Sequence, residues 1–149
     1  MSFNVRSYEM IRNTIVTYLF KPWKVNGFHE RYGFIVALKM LYPEVVRSIR
    51  SRTCPFCGRR FKQFTNIRQH LVRRKVNGNG SLCYYEFLNI IYHVVDVYYE
   101  AKHVIEIEKQ GNRKLGTYRI TDPATGVRHY FKTISEAVRF YVNNYVKVN

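Results

Sequence analysis

The feature that most constrains this chain is the placement of its cysteines around a histidine. Cys54 and Cys57 flank Pro55 and Phe56, the short spacing from which a tight turn aims two thiolates at one tetrahedral metal ion. Twelve residues separate Cys57 from His70. Within that interval Phe61 follows Cys57 by four positions, Ile67 precedes His70 by three, and residues 63–73 contain no helix breaker, so the spacing predicts a helix that carries His70.

This stretch resembles the two-Cys two-His zinc finger. Cys54, Cys57, Phe61, Ile67 and His70 fall on that family's two thiols, two core apolar positions and first histidine. The resemblance implies a bound zinc ion and a ββα-like unit that presents its helix to the major groove of DNA. Positions 74–76, where the family places its second histidine, are Arg74, Lys75 and Val76. The next soft ligand is Cys83, after Asn77, Gly78, Asn79, Gly80 and Ser81, a flexible turn able to fold the chain back onto the metal. The expected ligands are therefore Cys54, Cys57, His70 and Cys83, with His93, His103 or a water competing for the fourth position. A cysteine pair also serves as a redox motif, but no strand-helix context of thioredoxin type surrounds this one.

Charge points to a polyanionic partner. The chain of 149 residues is 46% hydrophobic and carries a formal net charge of +15, which excludes a disordered tail and favours phosphate neutralisation with counterion release. Residues 54–83 hold seven Lys and Arg and no acid, whereas residues 84–149 hold nine against seven. The cysteine stretch is thus the electrostatic focus. No signal peptide and no apolar span near 18 residues is apparent, so a membrane is not an expected partner and the chain is expected inside a cell, in the cytoplasm of a prokaryote or virus-infected host rather than in a nucleus. Three cysteines, all assigned to metal, agree with a reducing compartment.

Along the chain, Tyr8, Ile11, Ile15 and Tyr18 recur at helical spacing and Pro22 ends the run. Tyr32, Ile35, Val36 and Met40 trace a second helix after Gly27, and Pro43 suits the first turn of a third through Val45, Val46 and Ile49. These helices are expected to pack or to form a homodimer, with Trp23 and Phe28 in the core. A helix beginning near Phe64 would, in the family's geometry, present Gln63, Thr65, Asn66 and Gln69 to base edges. Arg59, Arg60, Lys62, Arg68, Arg73, Arg74 and Lys75 would neutralise phosphates.

After Cys83, the residues Tyr85, Leu88, Ile91, Tyr92, Val95 and Tyr99 predict a strongly apolar helix to about Ala101. Alternation then predicts strands over 103–108, 117–121 and 127–132, with a hairpin loop at 122–126. Thr133 and Glu136 form a capping box for a last helix. This third of the chain resembles the DNA-binding domain of plant ethylene-response factors and the related module of phage integrases, through Tyr118, Ile120, Asp122, Pro123, Gly126, Phe131, Thr133, Glu136, Ala137 and Tyr141. In that family the sheet lies in the major groove. Arg119, Arg128, Tyr130 and Lys132 share one face by alternation and are the candidate contacts, while Glu106 and Glu108 stand where the family has an arginine-bearing strand.

The expected fold is α+β: a helical segment (1–52), a single ββα-like zinc finger (53–83), a bracing helix (84–102) and a three-stranded antiparallel sheet with one helix (103–149). The expected function is zinc-dependent binding of double-stranded DNA, with transcriptional regulation as its use. The solitary finger, the Tyr, Ile and Val content and the basicity resemble small regulators of archaeal viruses. Ten acids scattered singly offer no nuclease cluster, so an enzyme is not expected. The alternative is a structural or interaction protein whose zinc only holds the fold, packaging nucleic acid without sequence choice.

Overall fold

Apolar residues at helical spacing drive the first element. In α1 (Val5–Phe20), Ile11, Ile15, Tyr18 and Leu19 are buried while Arg6, Glu9 and Asn13 stay exposed, which is the stripe a surface helix turns inward. The structure, a computed structural model, describes residues 5–73, 81–110 and 113–146. A 3-10 turn, Pro22–Lys24, follows α1. Next come α2 (Phe28–Arg31), α3 (Gly33–Leu41) and α4 (Pro43–Arg50), with Pro43 in the first turn of α4, where its missing N–H costs no helical hydrogen bond.

Downstream lie α5 (Phe64–Val72) and α6 (Ser81–Val104). The sheet follows as β1 (Glu106–Gln110), β2 (Arg113–Thr121) and β3 (Arg128–Phe131), and α7 (Ile134–Tyr145) closes the series. The fold class is α+β. The alternation at 103–105 does not start a strand, because His103 and Val104 complete α6 and the Ile105 N–H still donates to the Ala101 carbonyl at 2.9 Å. A helix already formed propagates at one hydrogen bond per residue, and Lys102 with His103 in its last turn suits the negative end of its dipole.

The chain divides into two compact units. One, the sheet unit, joins Gly27–Leu41 to Asp96–Asn149; the other, the helical unit, joins Ser2–Asn26 to Tyr42–Val95. In the sheet unit the strands pair antiparallel in the order β1-β2-β3, with Glu106 opposite Arg119, Tyr118 opposite Phe131 and Arg119 opposite Tyr130. The β2-β3 turn is built by Asp122, whose carboxylate accepts the Ala124 N–H at 2.9 Å, and by Gly126 at φ +75°. Thr133 caps α7 by accepting the Glu136 N–H at 3.1 Å, and the Glu136 carboxylate accepts the Lys132 N–H at 3.2 Å. Ile120, Ala137, Val138 and Val142 are buried, and Phe131 and His129 meet Phe140 at 5.2 and 4.5 Å between ring centres.

In the sheet unit α3 packs on α7 through a glycine. A methyl group at Gly33 would stand 2.8 Å from Val138 Cγ2, closer than carbon atoms approach, and 3.1 Å from Tyr98 Cε1, a tight contact that the ring must ease by a few tenths of an ångström. Gly33→Ala is expected to destabilise the protein by about 1–3 kcal/mol. Val138→Ala in the same chain should make the pair less than additive, as measured by urea denaturation of the two single variants and the double.

Candidate metal centre and the surface around it

The four expected ligands converge, and all belong to the helical unit. One donor atom from each of Cys54, Cys57, His70 and Cys83 lies within 4.8 Å of every other. His93 and His103 are not in this cluster. The His93 Nδ1 instead pairs with the Tyr42 hydroxyl at 2.6 Å.

The cysteine turn forms because its backbone satisfies itself. The Gly58 N–H donates to the Cys54 carbonyl at 3.0 Å, and the Cys54 N–H donates to the Arg59 carbonyl at 2.8 Å. Gly58 takes φ +78°, a left-handed conformation that residues with a Cβ adopt at a cost. The hairpin expected here is reduced to a single antiparallel bridge, Thr53 to Arg60, flanked by the Phe61 N–H donating to the Arg52 carbonyl at 2.9 Å. The helix α5 then buries Ile67, His70 and Leu71, and the Phe61 ring sits 5.2 Å from the imidazole. Cys83 comes from the first turn of α6. Three segments, the turn and two helices, therefore meet at the site.

The sulfur–nitrogen separation fits a tetrahedral ion. A metal–sulfur bond of about 2.3 Å and a metal–nitrogen bond of about 2.0–2.1 Å leave roughly 3.5 Å between sulfur and nitrogen, and Cys57 Sγ lies 3.5 Å from His70 Nε2. No disulfide joins the cysteines. Cys54, His70 and Cys83 are buried and Cys57 is exposed. The Arg59 N–H bonded to Cys57 pulls its thiol below the ordinary range. Burial raises the Cys54 thiol. Burial, then the neighbouring Cys54 and Cys57 sulfurs, push Cys83 up to about 12. A cation among them pulls all three thiols down, against the upward effect of burial on Cys54 and Cys83, because it stabilises each thiolate directly. The cluster can hold a metal ion, and three thiols with one imidazole are the soft donor set that suits zinc.

The exposed side of the site is basic. Arg59, Arg60, Lys62, Gln63, Thr65, Asn66, Arg68, Gln69 and Arg73 are all exposed. Thr65, Arg68, Gln69, Val72 and Arg73 line one shallow depression on the outer face of α5. Arg74, Lys75 and the turn at 77–80 lie outside the described residues. In the sheet unit Arg128, Tyr130 and Lys132 are exposed. Arg119, on the same face, is held by Glu106 at 2.6 Å and Glu108 at 3.6 Å, so its charge is already met within the sheet. Only the strand register puts Glu106 opposite Arg119, which alternation by itself does not give.

Trp23, expected in the core, is 64% exposed. Its ring edge meets Phe64 at 6.0 Å, and that contact joins segments 41 positions apart, beyond the reach of local pattern. No protein-family model, no curated protein and no solved structure matches the chain.

Cys83→Ser and His70→Ala are each expected to lower bound metal below one ion per chain, read by elemental analysis after gel filtration, while His93→Ala and His103→Ala leave it at one. Uptake displaces thiol protons. Metal affinity should therefore rise with pH across the neutral range, about tenfold per pH unit for each proton displaced, and a cobalt(II) titration followed by thiolate absorption at several pH values measures that slope.

Proposed function

We propose that the chain is a zinc-dependent protein that binds double-stranded DNA through the outer face of α5 and regulates transcription inside the cell, a binder rather than an enzyme. Zinc at Cys54, Cys57, His70 and Cys83 would fix α5 against the cysteine turn and the start of α6. The one observation that carries the reading is the character of that face. Arg68 and Gln69 stand together on it with Thr65, on the helix that carries His70, and no acidic residue occurs anywhere between Glu44 and Glu86. Among the described residues no carboxylate pairs with Arg59, Arg60, Lys62, Arg68 or Arg73.

Each residue type has its task there. Gln and Asn can make two hydrogen bonds to an adenine edge, and a good pair discriminates by about 1–3 kcal/mol. Gln63, Asn66 and Gln69 are the candidates, with Thr65 beside them. The arginines and Lys62 neutralise phosphates without reading sequence. On the sheet unit Arg128, Tyr130 and Lys132 are further candidates. One finger reads about three base pairs, so a specific complex calls for added contacts or a homodimer through the N-terminal helices.

Anisotropy titrations with random and selected duplexes at several salt concentrations test this. Arg68→Ala is expected to weaken binding to all sequences and to lower the salt slope by about one. Gln69→Ala should relax preference at one base position with the slope unchanged. Equal affinity for every duplex, unaltered when Gln63, Asn66 and Gln69 are all alanine, would leave only non-specific packaging or a structural zinc.

A further inference from the structure

Trp23 is the chain's one tryptophan, and its exposure is built in rather than incidental. Pro22 opens the 3-10 turn, the Lys24 N–H donates to the Lys21 carbonyl at 2.9 Å, and Val25 is buried just beyond. These contacts anchor both sides of the indole while leaving the indole itself in solvent. The edge contact with Phe64 places it beside the first residue of α5. The Arg52 guanidinium lies 5.6 Å above the same Phe64 ring. All of these residues belong to the helical unit.

The surroundings select the partner. Lys21 and Lys24 flank Trp23, Lys62 and Gln63 precede Phe64, and no acid occurs between Glu9 and Glu30 or between Glu44 and Glu86. An exposed aromatic ring whose charged neighbours in the sequence are all cations suits a polyanion that also offers flat apolar faces, and nucleic acid has both.

We propose that Trp23 stacks on an unstacked base at one edge of the α5 footprint, with Lys21, Lys24 and Arg52 on the adjoining phosphates, so that the preferred target is duplex DNA carrying a single-stranded junction or an opened step. The inference rests on the DNA-binding reading above and specifies the substrate of that same surface. It also supplies a contact that a single finger lacks, since one module buries little surface on its own. Stacking tolerates any base, so it adds affinity for a DNA shape without adding sequence choice.

The test uses the zinc-loaded full chain with two labelled DNAs of equal length, one fully paired and one with a short single-stranded overhang. Anisotropy reads affinity and Trp23 emission reads stacking. The overhang DNA is expected to bind about tenfold tighter and to quench Trp23 in step with binding. Trp23→Ala should remove that advantage and keep the affinity for the paired DNA, while Trp23→Phe retains most of it. Zinc content equal to wild type shows that each variant keeps its site. Equal affinity of the wild type for the two DNAs overturns the inference while leaving the α5 reading intact. Failure of both DNAs to bind at low salt overturns the α5 reading itself.

Discussion

Three sulfurs and an imidazole nitrogen within 4.8 Å of one another form an arrangement that the chain's own packing opposes. Buried thiols crowd each other, and their ionised forms repel. Burial and the neighbouring sulfurs raise the thiol of Cys83, and it is also the ligand that brings α6 to the site. A divalent cation turns each of those costs into an attraction. Structural zinc in small modules binds with an apparent free energy of about 10–16 kcal/mol at neutral pH, comparable to the whole stability of an ordinary domain at about 5–15 kcal/mol. The convergence ties α5, which carries His70, to the cysteine turn and to the first turn of α6.

Much of this was legible because the ligands announce themselves by type and spacing. Cys54, Cys57 and His70 lie in one short stretch, and Ile67, three positions before His70, is buried beneath α5 as the helical period requires. Cys83 was legible only as the next soft donor, since nothing in the local sequence fixes its distance in space from the other three. The last helix and its Thr133 cap, and the turn at Asp122 and Gly126, followed from local chemistry. The partner of α3 did not. Periodicity shows that Ile35 and Leu38 seek burial, but nothing local names Val138 as the surface that Gly33 approaches. The same limit applied to Trp23 and Phe64, and to Arg119 and Glu106, whose pairings are set by tertiary packing and by strand register.

The two units treat charge in opposite ways. In the helical unit Glu9, Glu44 and Glu86 are the only acids among fourteen Lys and Arg, and Glu44 is paired with Arg47 on its own helix. In the sheet unit seven acids face eleven bases, and Arg119 is clasped by two of them. Exposed ion pairs of that kind contribute about 0–1 kcal/mol each, so their effect on stability is small. Their larger effect is on the field, because a paired arginine projects little potential beyond the Debye length of about 8 Å at physiological salt. Net positive charge is therefore concentrated on the helical unit.

Arg52 connects that field to the metal turn. It is the one residue other than glycine at positive φ among the described residues, at φ 57°, a conformation that costs an ordinary side chain about 1–2 kcal/mol. Hydrogen bonds on both sides hold it there. Its N–H donates to the Ile49 carbonyl at 2.9 Å and its own carbonyl accepts the Phe61 N–H at 2.9 Å, while the Ser48 hydroxyl donates to the Thr53 carbonyl at 2.7 Å. The end of α4 is thereby locked to the cysteine turn, and the guanidinium is carried over Phe64 at the start of α5. A glycine would relieve the backbone and lose that cation. Bound zinc would offset the strain many times over, so an arginine in this conformation is tolerable there.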